Sequence, residues 1–404
     1  KKFDGVEEAD VKDADKKEYA LYQQVLTDVT SEKEEYNDYI KQIEQVSQLI
    51  DIVPSMISAQ IGKENYTIKD LKKWKPTDIQ GIQLKEFALL IEDGLSKEEL
   101  TENMKEISQT LEYNLNVDFD DRAIIGDDPY NMNDRNYGNG DVEGPDALHG
   151  THVGAIVGAI RGNKLGGDGV ADNVKLMSLR AVPNGDEFDK DIALAVRYAV
   201  DNGAQVINMS FGKSYSPMAK DVYEAFDYAD SKGVLLIQGA GNDAKDVDTN
   251  PNFPSSKYEF QDKKTEHYLT IGATTPYATV KGQAYGELPA SFSNYGQIGV
   301  DVFAPGYQIY NAVPDNKYQA LDGTSMASPM VAGAAALLKS YFPKLSMLEI
   351  KNILLSSVTS YQGSQQLMPG EEDKSVDFGK LSVTGGVINL PAAVKAAIAL
   401  EASK

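Results

Sequence analysis

Ser325 stands in the segment Gly323-Thr324-Ser325-Met326-Ala327-Ser328-Pro329, and behind it Met330 to Leu338 is small and apolar on every face. Such a run reads as a buried helix whose lack of bulk lets strands or other helices come close. A hydroxyl at the start of that helix lies beside free backbone N–H groups and the positive end of the macrodipole. Negative charge developing next to the oxygen is favoured there, which is what an acyl-transfer nucleophile needs. Serine is also a preferred N-cap, and taken alone that is the plainer explanation.

Other segments change the balance. His149-Gly150-Thr151-His152-Val153-Gly154 puts an imidazole at a helix start, and two of the three histidines of the chain stand in it. Imidazole is the side chain best suited to proton transfer near neutral pH. Asn242 follows Gly239-Ala240-Gly241 directly; a turn asparagine is the bland reading, and a hydrogen-bond donor to an oxyanion beside Ser325 the functional one. Ser210-Phe211-Gly212 follows an apolar strand, and glycine there leaves backbone groups open for pairing with an extended peptide.

The elements that must position these residues alternate from Asp146 onward, the signature of a parallel α/β sheet. The pattern predicts a small-residue helix over His149 to Ile160, a strand over Val174 to Val182 and a helix from Asp189 to Asp201 stopped by Gly203. A strand over Val206 to Ser210 follows, then a helix opened by Ser216-Pro217 and running to Ser231. Val234 to Ile237 reads as a buried strand ending in the Gly239 segment, with further strands over Tyr268 to Ala273 and Val300 to Phe303. Ser346 and Glu349 form a capping-box signature for another helix. In open α/β sheets sites form where strands end, which suits both Ser210 and Asn242.

The first part of the chain has a different texture. Val25, Val29, Tyr36, Tyr39, Ile43, Val46 and Ile50 recur at three- and four-residue steps, an amphipathic stripe expected to end near Pro54 or Gly62. Thr67 to Trp74, Gln80 to Glu92 and Ser96 to Leu111 read as shorter helices, the last with a capping box at Ser96. No catalytic constellation appears there. The expected division is a helical insertion or arm over residues 1–115 and an α/β domain over 116–404.

Composition sets outer bounds. A chain of 404 residues with 42% hydrophobic content and 34 glycines is globular and loop-rich. A net charge of −22 argues against nucleic acid or an anionic membrane surface as partner. The absence of cysteine removes disulfides, thiol catalysis and thiolate metal sites. No apolar run reaches membrane-spanning length, and Lys1-Lys2-Phe3-Asp4-Gly5 lacks a signal-peptide core, so the sequence is expected to be mature, processed or truncated. Between Val117 and Gly144 the pattern collapses into Asp, Asn and Gly. Oxygens at that density leave room for structural calcium, with no ligands assigned, but the EF-hand spacing is absent and turn chemistry is the plainer reading.

Taken together and in order, these segments resemble the subtilisin-like serine proteases, or subtilases. His149 to Gly154 is similar to the family's histidine box with one residue fewer before the glycine, and Gly323 to Pro329 matches its serine box. Asn208-Met209-Ser210-Phe211-Gly212 resembles the substrate-binding strand, and Gly239 to Asn242 the oxyanion segment. Gly169-Val170-Ala171, Ala290 to Gly296 and Val302 to Gly306 fit between them in the family's order. The resemblance covers roughly Asp146 to the C-terminus. It implies a doubly wound, mostly parallel α/β sheet and peptide-bond hydrolysis through an acyl-enzyme on Ser325, with His149 as general base and then acid. Asn242 and the Ser325 N–H would form the oxyanion hole, and Ser210, Phe211, Gly212, Gly239, Ala240 and Gly241 would line the cleft for an extended polypeptide. No cofactor is required for that chemistry, and the implied setting is extracellular, periplasmic or the cell surface of a bacterium. Loss of activity is expected as pH falls through about 6.5, the reference histidine value.

One departure is large. The family places its catalytic aspartate before the histidine, after an apolar strand, as Asp-Ser-Gly or Asp-Thr-Gly, and no such segment lies between Lys1 and His149. Three accounts are open. The strand and its aspartate belong to an upstream segment or another chain, or the protein is a non-catalytic peptide-binding module, or a carboxylate from the acidic region substitutes. Acyl transfer by a transpeptidase or cyclase on the same fold is a further alternative.

Overall fold

The computed structural model describes residues 2–92, 94–277 and 287–404. The chain forms two compact units, Lys1–Ile124 and Ile125–Lys404.

In the first unit, α1 (Lys16–Ile61) passes through Pro54 and stops at Gly62, whose left-handed φ of 73° turns the chain so that the Lys63 N–H, as well as the Gly62 N–H, reaches the Ser58 carbonyl. Then come α2 (Ile68–Lys73), α3 (Ile79–Glu92), α4 (Lys97–Gln109) and the short α5 (Arg122–Ile125). Thr67 and Asp70 close a reciprocal capping box on α2, whereas at α4 only the Ser96 hydroxyl caps, accepting from the Glu99 N–H. Ile43 of α1 packs with Leu100 and Ile107, while Val53 and Ile57 pack with Leu71 and Ala88. Tyr39, expected on the stripe, is 49% exposed, and its neighbour Ile40 turns inward instead.

The second unit opens with α6 (Leu148–Gly158) and α7 (Asp189–Asp201), then β1 (Val206–Met209), α8 (Ala219–Ser231), β2 (Leu235–Gly239), β3 (Tyr268–Thr274) and β4 (Val302–Pro305). After these come the hairpin β5 (Ile309–Val313) and β6 (Lys317–Leu321), then α9 (Thr324–Tyr341) and α10 (Met347–Ser356). The chain finishes with β7 (Thr359–Ser360), β8 (Gln365–Leu367), β9 (Ser375–Asp377), β10 (Gly386–Val387) and α11 (Leu390–Ala402). The main sheet has six strands in the order β1-β2-β3-β4-β10-β7, and every pairing is parallel except β10 with β7.

Alternation along each strand sorts side chains onto the two faces. Leu235 and Ile237 of β2 meet Ala327, Val331 and Leu338 of α9 on one face, whereas Leu236 meets Phe226 of α8 and Val196 of α7 on the other. Burial on both faces is what makes these strands continuously apolar. The small residues of α9 permit close approach: a Cβ at Gly333 would lie 2.7 Å from the Val170 Cβ.

Two expectations fail here. Residues 174–182 form no ladder, and Leu176 and Met177 stand 56% and 44% exposed. Leu176 lies against α6 and Ala181 against the cluster under β1, yet among the described residues no strand pairs the outer edge of β1. An apolar run becomes a strand only when a neighbour supplies hydrogen bonds, and this one has none. The other failure is small: α8 starts at Ala219, not at Ser216-Pro217, because Asp189 reaches across to accept from both the Ser216 hydroxyl and the Met218 N–H.

Candidate active site

Three element ends meet at one pocket: β1 delivers Ser210, β2 delivers Gly239 and the turn to Asn242, and α9 begins at Thr324 before Ser325. α6 carries His149 in its first turn, and His149 is not among the residues that line this pocket. The strand ends are the carboxyl ends of parallel strands, as the alternating pattern requires.

Ser325 is half-buried, one residue into α9. Its Oγ donates to the Ser210 carbonyl at 3.3 Å. Its own N–H lies in the first turn, where backbone donors have no intrahelical partner. The Ser210 hydroxyl is engaged elsewhere: it donates to the Ser325 carbonyl at 2.8 Å, meets Ser328 Oγ at 3.0 Å and accepts from Asn208 Nδ2 at 2.9 Å. This side chain therefore anchors the first turn of α9 to the end of β1, and only the backbone of the segment is left to face a peptide. Gly212 is exposed and supplies none of the described backbone bonds, while the next residue is fixed by a two-way bridge between Lys213 and Phe253.

Asn242 is oriented by its acceptor atom. Oδ1 accepts from the Thr324 N–H at 2.9 Å and from the Thr324 hydroxyl at 3.0 Å. With the oxygen engaged, the Nδ2 donor faces the other way, toward the pocket mouth that Ser325 also lines. Gly241 completes the turn, its N–H donating to Thr324 Oγ1 at 3.1 Å. Gly239 and Gly241 line the pocket; Ala240, expected there too, is buried in the core cluster beneath with Val300 and Phe303.

His149 stands at the exposed start of α6, and α6 packs along α9. Among the described residues no hydrogen bond joins it to Ser325. Desolvation lowers its pKa below the ordinary 6.5, the neighbouring His152 lowers it further, and Asp146 pulls the other way. The ring keeps solvent contact, which screens part of each effect. His152 itself is fully buried, its Nε2 within 3.1 Å of the Gln319 carbonyl and its Nδ1 without a partner.

The acidic stretch adopts the bland reading. Asn116, Asp128, Asn131, Asp134, Asn139 and Asp141 each accept a backbone N–H two residues on. These are Asx turns. Among the described residues no group of three His, Asp or Glu side chains is arranged to hold a metal. Asp146 is the one carboxylate that acts on His149, and its Oδ1 already accepts from the Leu148 N–H at 2.9 Å. Asp127 is buried in an ion pair with Lys190, whose ammonium also lies 4.3 Å from the centre of the Tyr137 ring.

Two pocket residues escaped the sequence reading, Asp243 and Asn252, both lining the cavity beside Ser325. Asp243 directly follows Asn242 and was open to notice; nothing local marks Asn252, which arrives from a loop ten residues on.

The model of the subtilase family matches residues 63–377. The chain is 37% identical over 224 residues to the thermophilic serine proteinase of Bacillus sp. (strain AK1), an overlap covering 55% of this chain and 48% of that protein. It is 35% identical over 213 residues to subtilisin DY of Bacillus licheniformis, covering 52% and 70%. The chain thus spans about half the length of the first relative. Among solved structures, one described as the structural basis of subtilase cytotoxin SubAB assembly shares the fold with a TM-score of 0.51 and 21% identity, covering 63% of this chain and 77% of that one. No helix of the described residues is long and apolar enough to cross a membrane.

Proposed function

The chain belongs to the subtilase family, and from that premise we propose that it is the main part of a serine endopeptidase acting on extended polypeptides. Ser325 Oγ attacks the peptide carbonyl while His149 takes the hydroxyl proton. The carbonyl oxygen, now negative, receives hydrogen bonds from Asn242 Nδ2 and the Ser325 N–H. His149 then gives its proton to the leaving amine, and water, deprotonated by the same ring, releases the acyl group from Ser325. No cofactor enters these steps. The observation that carries the reading is the double anchorage of Asn242 Oδ1 on Thr324, which turns its donor toward the pocket beside a hydroxyl at a helix start.

The imidazole also needs an orienting carboxylate, without which it loses its preferred tautomer. Asp146 is engaged in capping α6. We propose, of the three accounts, that the orienting carboxylate is supplied by a strand that is not within residues 1–404, upstream or on another chain. The free edge of β1 and the unpaired, apolar stretch 174–182 are where such a strand would find hydrogen bonds and apolar cover. Its C-terminal end would then point toward the same strand ends as His149. The setting we propose is extracellular, periplasmic or the surface of a bacterium.

A second reading has one observation in its favour. Ser325 Oγ bonds the Ser210 carbonyl and not His149, as in a module that binds peptides without cutting them. A fluorophosphonate probe separates the two. The complete protein should be labelled at Ser325 and the Ser325→Ala variant should not; a folded, complete protein that resists labelling is a binding module.

A further inference from the structure

The pocket beside Ser325 has a volume of about 270 Å³. A water takes about 30 Å³ in the liquid, so the space equals roughly nine waters, the size of one long side chain. Three of its lining residues, Gly212, Gly239 and Gly241, contribute no side chain. Its chemistry is therefore set by Phe211, Asn252 and Asp243.

The Asn252 amide is committed in one direction. Nδ2 donates to the Ala240 carbonyl at 3.0 Å, while Oδ1 is in no hydrogen bond among the described residues; both amide atoms lie beside Gly212, Nδ2 at 2.7 Å and Oδ1 at 2.9 Å from where a Cβ on that glycine would stand. Asp243 offers a second acceptor. Its N–H is held by Asn294 Oδ1 at 3.0 Å, but its carboxylate meets only Asn294 Nδ2, at a long 3.5 Å, and pairs with no cation among the described residues. The Thr324 hydroxyl is used up on Asn242 and Gly241, and Asn242 Nδ2 sits at the mouth. The pocket thus offers two unfilled acceptors, the half-buried Asn252 Oδ1 and the exposed Asp243 carboxylate, and a single aromatic wall.

We infer that this pocket selects a lysine or arginine side chain as the residue on the acyl side of the cleaved bond. The aliphatic stem would lie along Phe211, as long cationic side chains do on apolar surface. The head would donate to Asn252 Oδ1 and Asp243. An apolar side chain would cover the Asn252 oxygen without offering it a partner and would gain nothing from the exposed Asp243 carboxylate, and an acidic one would be repelled. The net charge of −22 adds a field that draws in cationic segments. The inference deepens the peptidase reading and rests on it, yet it can be tested without catalysis.

The test uses residues 1–404 carrying Ser325→Ala and the four peptides acetyl-Ala-Ala-Pro-X with X as Arg, Lys, Phe or Leu and a free C-terminus. Calorimetry should show the Arg and Lys peptides binding at least tenfold tighter than the Phe peptide. Adding Asp243→Asn should collapse the Arg-to-Phe ratio to within about twofold. Equal or tighter binding of Phe or Leu overturns the inference, as does an Arg preference that survives Asp243→Asn. If none of the four binds while the probe labels Ser325 in the complete protein, the pocket assignment fails and the peptidase reading stands.

Discussion

Asn242 Oδ1 accepts two hydrogen bonds from Thr324, one from its N–H and one from its hydroxyl, so the residue next to the nucleophile sets the orientation of the amide. The proposed nucleophile and the proposed oxyanion donor are thereby one mechanical part, although 83 positions separate Asn242 from Ser325 along the chain.

Asn242→Ala removes a hydrogen bond that reaches full strength only when the carbonyl oxygen becomes negative. Bonds to charged groups contribute about 1.5–3 kcal/mol, so kcat should fall roughly ten- to a hundredfold with KM little changed. Thr324→Val, which frees the amide to turn, should give a smaller loss of the same kind. Steady-state kinetics on the complete protein decide this; a rise in KM with kcat intact would mean that Asn242 binds substrate and not the oxyanion.

His149 must be neutral to accept a proton. Desolvation, then His152, lowers its pKa from 6.5, so the neutral form persists to lower pH than an ordinary histidine allows. In residues 1–404 alone, the His149 titration followed by NMR should lie below 6.5, the reference value. Asp146 pulls the pKa upward, and Asp146→Asn should move the titration further down. The sign for stability follows: the unfolded chain takes up this proton before the folded one, so stability is lost as pH falls from 6.5 through the folded value. In the complete protein an orienting carboxylate would pull the acidic limb of kcat/KM back up, and a limb that Asp146→Asn leaves unmoved would show that another group is titrating.

Glu187 is 3% exposed, and burial raises its carboxyl to about 7 from 4.5, with Lys213 opposing. Between those values the folded chain holds a proton that the unfolded chain has released, so stability falls as pH rises from 4.5 to about 7. At about 1.4 kcal/mol per pH unit the loss is on the order of 3 kcal/mol. Glu187→Gln should remove it, so the fall in urea midpoint between about pH 5 and pH 8 should be smaller in the variant than in the wild type. A variant that keeps the wild-type slope with pH would place the titration elsewhere.

Lys190 and Asp127 are both fully buried and paired, and Lys190 also donates to the Asp128 carbonyl at 2.9 Å. Lys190→Met should destabilise by about 3–5 kcal/mol, because it takes the Lys190 ammonium away from a buried carboxylate. Lys190→Met with Asp127→Leu should recover most of that loss. Chemical denaturation of the three proteins reads this out, and additive losses in the double variant would contradict it.

Local signals were legible in the sequence and non-local ones were not. The capping box at Ser346, the stop at Gly62 and the strand through Val234 to Ile237 follow from neighbours a few residues away, and the structure has all three. Residues 174–182 have the composition of a strand but form none, since a ladder depends on a partner that the local pattern does not contain. The start of α8 moved because Asp189, distant in sequence, supplies the cap. At the site, Ser325, Asn242 and Ser210 were visible because each sits at an element end, yet the Ser210 side chain proved to be an anchor for α9. Asn252 left no mark because its meaning comes from Gly212, forty residues away, which it faces only after folding.

The outer edge of β1 runs without interruption into Ser210 and Gly212, so two occupancies share one piece of backbone. On the proposed reading, a strand paired with that edge would stiffen the wall against which a bound polypeptide lies. By linkage, the bound polypeptide would then tighten the grip on that strand by the same factor. Cargo and added strand would each report the presence of the other.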